Sequence, residues 1–382
     1  MRFSWSLILL TVSLLTFTEC KTVQTPSQTS TTETDRKASK ATSEKRYTAT
    51  ITQEGFIDCF DETADAPAVW CEASAILFDG NDILVASDKD VPGGKASVFY
   101  WAYRNDEFTR PGQKPGGYLT SEAFSIGKKY EDFALTPNGQ YAFLTTAFDR
   151  VKPDSKEWNG YNTILYWNTN NRNDVKVLGA TPDDPTSISL RDQISRLLTS
   201  PEFPNGAPYF KVEGLAATDD RLYLGIREEG AKYDAFQYKI KLLVAPYRID
   251  QGQVSLTGPF QVAADFDLAT AYPSLPKPLA ISSLEYDKVH DQFYVLTSYE
   301  NGEQLGAYLW TVDLENLGAN KLRPVIDYRN GSVLKFDHKA EDLTIITPRR
   351  LMVIHDDDRV LTKVGTQTRK PNQSAYSIVE FR

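Results

Sequence analysis

Histidine, methionine and cysteine are scarce in this chain of 382 residues, which has 3, 2 and 3 of them. So few histidines argue against a histidine-rich zinc site. The sequence has no GxSxG, HExxH, CxxC or GxxxxGK motif, so it lacks several familiar signatures of hydrolases, metalloproteases, redox proteins and nucleotide-binding proteins. Beyond the first twenty residues, no apolar stretch approaches the ~20 residues of a membrane-spanning helix.

The bulk composition favours an acidic protein rich in strands. The net charge is −9, and an acidic surface repels phosphate backbones, so we expect no nucleic-acid partner. Apolar residues make up 41% of the chain, which is enough for a core. Aromatic residues make up 12%, with 20 Tyr and 19 Phe, and these residue types favour strands.

The N-terminal region predicts export from the cytoplasm. Arg2 precedes an apolar stretch at residues 7–17, so residues 1–20 are predicted to be a signal peptide. Residues 21–45 contain eleven Ser or Thr residues and no apolar periodicity, which predicts a disordered linker. We therefore expect an extracytoplasmic protein, in the periplasm, in the cell envelope or secreted.

The three cysteines fit that location. Cys20 ends the signal region and resembles the lipidated cysteine of a bacterial lipoprotein, although Glu19 departs from the usual pattern; plain cleavage is the alternative. A lipid at Cys20 would be the only contact with a membrane. In an oxidising compartment Cys59 and Cys71 are expected to form a disulfide, and two buried free thiols are the alternative.

An internal repeat carries the fold prediction. Each copy has an acidic or polar residue, a small or polar one and an apolar one, followed by a turn and a second apolar strand. The copies begin at residues 72–75, 131–134, 213–216, 282–285 and 341–344. Two further strand-like stretches follow each of the first four copies, and after the first copy these predicted strands are residues 97–103 and 118–126.

Four strands per repeat predict an all-β propeller of about five four-stranded blades over residues 46–382. Six blades is the alternative, if residues 150–212 contain another. The last repeat lacks a strand, which residues 47–52 can supply, and this pairing closes the ring. Residues 189–198 have helical apolar spacing and predict one short inserted helix.

Two groups of short motifs resemble a known family. The first is LRDQISRLL at residues 190–198, followed by residues 212–216 and 224–227. The second is residues 340–343, followed by residues 353–358. Both are similar to bacterial extracytoplasmic propellers of unknown function, which are in turn similar to the phytase-like (esterase-like) group. This resemblance implies a propeller fold and, as an expectation, calcium-assisted phosphoester or ester hydrolysis.

Repeated glutamates are the first candidates for a functional site. Glu72, Glu131, Glu213 and Glu341 begin four of the repeats, and the first strand of each propeller blade lines the central channel. Converging carboxylates need protons, cations or hydrogen bonds, and Ca²⁺ takes six to eight oxygen ligands. These glutamates and Asp356 are therefore predicted metal ligands. The alternative is that each glutamate accepts backbone N–H bonds from an adjacent blade.

The ends of the second strands supply further candidates. Arg227 is a predicted ligand for an anionic group, with a salt bridge to a neighbouring Glu as the alternative. His355 is predicted to bind substrate and could act as a general base or metal ligand, with packing in the core as the alternative. Asp356 begins a run of three aspartates that could equally be a solvated turn.

These residues predict a binding protein with a polar, acidic channel mouth. Its partner is expected to be a small anionic molecule or another envelope protein. The alternative is a calcium-dependent hydrolase of the phytase-like kind, and the sequence leaves open whether the protein is an enzyme at all.

Overall fold

The computed structural model describes residues 47–62, 69–103, 115–152, 154–302 and 304–382, which form a five-bladed β-propeller. The predicted fold and blade number are confirmed. The predicted signal peptide at 1–20, with Cys20, and the linker at 21–45 lie outside the described residues. Among the described residues, no helix is long and apolar enough to cross a membrane.

Blades I and II are simple four-stranded meanders, in which each strand pairs with the next. Blade I consists of β2 (Ala73–Phe78), β3 (Asp82–Ser87), β4 (Val98–Ala102) and β5 (Gly117–Tyr118). Blade II consists of β6 (Tyr130–Leu135), β7 (Tyr141–Thr146), β8 (Ile164–Asn168) and β9 (Lys176–Val177).

Blades III and IV have longer central strands. Blade III consists of β10 (Tyr209–Ala217), β11 (Arg221–Lys232), β12 (Ala235–Asp250), β13 (Gln253–Leu256) and β14 (Gln261–Asp265). Blade IV consists of β15 (Ala280–Asp287), β16 (Gln292–Asn301), β17 (Gln304–Asp313), β18 (Arg323–Pro324) and β20 (Lys335–Phe336). In both blades the third strand pairs with two short outer strands.

Blade V joins the two ends of the folded region. It consists of β21 (Ala340–Thr347), β22 (Arg350–His355), β25 (Gln373–Phe381) and β1 (Thr48–Asp58), and β19 (Ile326–Asp327) pairs in parallel with β1. β23 (Lys363–Val364) and β24 (Gln367–Thr368) form a small hairpin beside it. The predicted N-terminal closing strand is confirmed, since β1 pairs antiparallel with β25 along its length.

The helices are short. They are α1 (Ala123–Ile126), α2 (Ile188–Ser195) and α3 (Leu268–Ala271), together with 3₁₀ turns at Pro92–Gly94, Asn159–Tyr161 and Leu314–Ala319. The predicted inserted helix is α2. The predicted strand at 118–126 is wrong beyond Tyr118, because Phe124 on α1 is buried and packs against Trp167 of blade II, with their ring centroids 5.5 Å apart.

The core consists of five apolar clusters, one between each pair of neighbouring blades. A central strand is therefore covered on both faces, which explains why β3 reads Ile83-Leu84-Val85-Ala86 without polar alternation. Where blades V and I meet, Cys59 after β1 is disulfide-bonded to Cys71 before β2, with Cα atoms 6.1 Å apart. The bond therefore fastens the last blade to the first.

Candidate functional site

A β-bulge near the start of each inner strand places one extra residue at the channel. The pairing register shifts at this point in β2, β6, β10, β15 and β21, and in β10 it shifts twice, because Arg227 on the partner strand β11 is bulged as well. A bulge redirects a side chain without ending the strand. The bulged residues are Ser74, Glu131, Glu213, Ser282 and Glu341.

This register differs in blade I from the one expected from the repeats. Ser74, not Glu72, occupies the position equivalent to Glu131. Glu72 lies two residues earlier, where blade II has Lys129. Its carboxylate instead pairs with Lys89 on the second-strand side of the same blade, at 2.8 Å.

Three inner strands carry a lysine two residues before the bulged glutamate. This Lys-x-Glu pattern is visible in the sequence at Lys129-Glu131, Lys211-Glu213 and Lys339-Glu341. We define the mouth as the channel end where the inner strands begin. It is formed by Glu72, Lys129, Lys211, Ala280 and Lys339 and the bulged residues below them.

The lysines lie closer to solvent than the glutamates. The side chains of Lys211 and Lys339 are each 14% exposed, whereas that of Glu213 is 3% exposed. Lys339 lies 3.0 Å from Glu341, and Lys211 contacts Glu213 and lies 3.4 Å from Glu131. The mouth therefore has a layer of ammonium groups above a buried layer of carboxyl groups.

The three bulged glutamates converge. One carboxylate oxygen from each of Glu131, Glu213 and Glu341 lies within 4.8 Å of the others. Burial raises the pKa of Glu131 to about 8 and that of Glu341 to about 7, against the opposing effect of the lysines. Burial acts on Glu213 in the same direction, but Arg227 and Lys211 outweigh it and hold its pKa below the usual range.

Arg227 supplies the cation that blade IV lacks. The lysine position of that blade is Ala280, and Arg227 reaches across from blade III to donate hydrogen bonds to the carbonyl oxygen of Ile281 at 2.9 Å and to Ser298 Oγ at 3.1 Å. It also lies 3.0 Å from Glu213. Arg227 is 4% exposed, so the salt bridge considered in the sequence analysis is present and little of the guanidinium faces solvent.

Below the glutamates, two aspartates occupy the axis. Asp132 accepts the backbone N–H groups of Leu215 at 2.6 Å and Leu284 at 3.2 Å. Asp342 accepts the N–H of Ile76 at 2.6 Å and the hydroxyl of Ser283 at 2.6 Å. The sequence analysis did not single out either residue, although both directly follow a repeated glutamate.

Asp356 lies beside the mouth but outside the cluster of three glutamates. Arg369 approaches its carboxylate at 3.6 Å, and burial raises its pKa well above the usual value. Asp357 and Asp358 point elsewhere: Asp357 bonds to His338, and Asp358 lies 3.4 Å from Lys339. Among the described residues, the predicted metal ligands Glu72 and Asp356 do not form one group with the other three.

His355 is fully buried at the end of β22, away from the exposed part of the mouth. Its Nε2 lies 2.8 Å from Ser377 Oγ, and its ring lies 5.1 Å from that of His338. Burial lowers its pKa to about 3, so the ring is neutral. This position agrees with the alternative that His355 packs in the core. Direct contact of His355 with a ligand in the channel stays a prediction.

Comparisons with known proteins show distant similarity only. The PQQ-bound aldose sugar dehydrogenase of Streptomyces coelicolor shares 13% identity, covers 86% of this chain and 99% of its own, and has a TM-score of 0.34. An α-L-arabinofuranosidase from Podospora anserina, in complex with cellotriose, shares 10% identity, covers 88% and 96%, and has a TM-score of 0.42.

A third structure, the catalytic domain of the GH62 α-L-arabinofuranosidase from Coprinopsis cinerea, shares 8% identity, covers 88% and 96%, and has a TM-score of 0.41. Scores at this level carry no argument about activity. No family model and no curated protein matches the sequence. The similarity to the phytase-like group therefore stays a hypothesis.

Proposed function

We propose that this chain is a binding propeller whose mouth takes a small anionic molecule. The observation that supports it is the layer of lysines above the buried glutamates. At neutral pH the raised pKa of Glu131 keeps that carboxyl group largely protonated, and Glu341 is only partly ionised. The charges of Lys211, Lys339 and Arg227 then exceed those of the three bulged glutamates, which favours an anion at this layer. Further carboxylates, Glu300 at 3.9 Å and Asp358 at 3.4 Å from Lys339, lie beside it.

Concentrated buried charge also supports a binding role. Burying ionic groups costs free energy, and an apolar replacement often serves stability as well or better. A channel that keeps lysines, an arginine and glutamates together therefore suggests a function beyond packing.

A titration with inorganic phosphate and citrate, at ionic strength held constant with NaCl, tests the proposal. A ligand that binds only the folded state raises the melting temperature with the logarithm of its concentration above its dissociation constant. Lys211→Met and Lys339→Met should each reduce that rise. Lys335→Met is the control, since Lys335 is an outer-strand lysine paired with exposed Asp337. Equal effects of all three changes, or no rise at all, would contradict the proposal.

The alternative is a calcium-dependent phosphoester or ester hydrolase, and one observation favours it. The converging oxygens of Glu131, Glu213 and Glu341 offer hard ligands of the type Ca²⁺ prefers. Binding there would require the ammonium group of Lys211 to move aside, because it now contacts Glu213. Stabilisation by micromolar to millimolar Ca²⁺, with turnover of phosphate-ester or carboxylate-ester substrates, would support the hydrolase. If Ca²⁺ neither stabilised the protein nor supported turnover of these esters, the hydrolase hypothesis would be excluded.

A further inference from the structure

Two of the three histidines of this chain lie ring to ring inside the protein. The ring centroids of His338 and His355 are 5.1 Å apart, and both residues are buried, with 5% and 0% exposure. His338 lies two residues before the start of β21, and His355 ends β22, so blade V brings both together. The third histidine, His290, is on the β15–β16 turn and is bonded to Asp287.

Each of these two rings has one nitrogen held by a hydrogen-bond partner. His338 Nδ1 lies 2.7 Å from the carboxylate of Asp357, which also accepts from Thr362 Oγ1 at 2.6 Å. A carboxylate can only accept, so His338 carries its proton on Nδ1 and leaves Nε2 with a free lone pair.

The same reasoning applies to the second ring. His355 Nε2 lies 2.8 Å from Ser377 Oγ, and that hydroxyl donates in turn towards Glu54 Oε1 at 3.5 Å. The hydroxyl therefore accepts from Nε2–H, and Nδ1 of His355 keeps its lone pair. That Nδ1 is buried without a hydrogen-bond partner. A buried polar atom without a partner is rare enough to need an explanation.

We propose that His338 and His355 bind a divalent transition-metal ion. Two imidazoles on one tetrahedral ion, each with a metal–nitrogen distance of about 2.0–2.1 Å, have ring centroids roughly 5 Å apart, as these two have. Asp357 and Ser377 hold the outer nitrogens, as second-shell partners do at metal-bound histidines. Imidazole ligands suit Zn²⁺, Cu²⁺ and Ni²⁺ and do not suit Ca²⁺.

Glu54 lies behind Ser377 in this arrangement. It is on β1, opposite Ser377 in the pairing with β25, and accepts from the hydroxyl that holds the outer nitrogen of His355. The two imidazoles are therefore the protein ligands in this proposal, and water molecules complete four-fold coordination. This site is separate from the three glutamates of the mouth and from any anion bound there.

The test uses the full chain without a histidine tag, dialysed against a chelator, at pH 7.5. We expect one Co²⁺ per chain, with the visible absorption of a tetrahedral ion, displaced by one equivalent of Zn²⁺. His338→Gln and His355→Gln should each weaken Zn²⁺ binding at least tenfold, and Ser377→Ala about tenfold. His290→Gln is the matched control and should leave binding unchanged.

A second measurement uses the protein without substitutions, so its result does not depend on whether the variants fold. With ¹⁵N-labelled imidazoles, Zn²⁺ should move the nitrogen resonances of two histidines and leave that of His290 in place. No saturable binding up to millimolar Zn²⁺ would overturn the proposal. Loss of binding in His290→Gln, or a shift of the His290 resonance alone, would overturn it as well.

Discussion

The carboxyl group of Asp342 lies close enough to that of Asp132 on the axis of the propeller to raise the pKa of Asp132. Asp132 is on blade II and reaches the inner strands of blades III and IV, while Asp342 is on blade V and reaches those of blades I and IV. This one pair therefore contacts all five inner strands. Two adjacent buried carboxylates would repel one another, and burial raises the pKa of both groups, which favours their protonated forms.

We predict that this pair makes stability fall as pH rises. Burial and then Asp342 raise the pKa of Asp132, and burial raises that of Asp342 to about 7. The folded state thus binds protons more tightly than the unfolded chain. The stabilisation that these protons give the folded state is complete below pH 3.8, the ordinary pKa of an aspartate. It is lost as pH rises through about 7. Asp132→Asn replaces the titrating carboxyl group by a neutral amide. The fall in the free energy of unfolding with pH should then be smaller by up to ~1.4 kcal/mol per pH unit.

Urea denaturation between pH 5 and pH 8 measures this effect. Asp337→Asn is the control, because that carboxylate is 84% exposed. Asp132→Asn should equal or exceed the stability of the unchanged protein at pH 8. A slope identical to that of the control variant would show that folding does not raise the pKa of Asp132.

The buried ion pair between Arg227 and Glu213 gives a second prediction. Arg227→Met should cost about 3–5 kcal/mol, because it leaves a buried carboxylate with one cation fewer. Glu213→Gln alone should cost about 1–3 kcal/mol. The double variant should be less destabilised than the sum of the two, with a coupling of about 0.5–3 kcal/mol from chemical denaturation. Additive losses would mean that Arg227 acts only through Ile281 and Ser298.

Close approach of Gly214 on β10 to Gly225 on β11 gives a third prediction. A Cβ atom at Gly214 would lie 2.9 Å from the Cα of Gly225 and 3.2 Å from Ile281 Cδ1, so backbone would have to shift. Gly214→Ala should therefore lower stability by about 1–3 kcal/mol. Gly318→Ala, where a Cβ meets open space at a negative φ, is the control and should change the melting temperature little. Similar melting temperatures for both variants would refute the crowding argument.

The disulfide gives the fourth prediction. Cys59 and Cys71 are 12 residues apart, and closing a loop of that size stabilises a fold by about 3 kcal/mol in the chain-entropy description. The double variant Cys59→Ser, Cys71→Ser should have a lower urea midpoint. Dithiothreitol should lower the midpoint of the unchanged protein to the same level and leave the double variant where it is. A reductant effect on both would assign the change to something other than this bond.

The repeat in the sequence was sufficient to predict the propeller, its five blades and its closure. Each inner strand has the same short motif, and the missing strand of the last copy has only β1 to replace it. The edge strands were less predictable. The stretch 118–126 looks like a strand by composition, but Phe124 packs into the next blade, which only tertiary structure reveals.

The site was predictable in outline only. Glu131, Glu213 and Glu341 converge as expected, but Glu72 does not join them, because a bulge sets the register and leaves no mark in the sequence of blade I. The lysines had a signal in the Lys-x-Glu spacing. The contact between His338 and His355 had none, since it depends on how β21 and β22 pair.

The strand pair that closes the ring also fixes which face of the propeller carries its two ends. The N–H of Arg382 bonds to the carbonyl of Thr48 at 3.1 Å, and β1 then runs towards the mouth and ends beside Cys59. The first strand therefore begins, and the last strand ends, on the face opposite the mouth, so neither end of the closing pair lies in the way of a molecule that enters between the lysines.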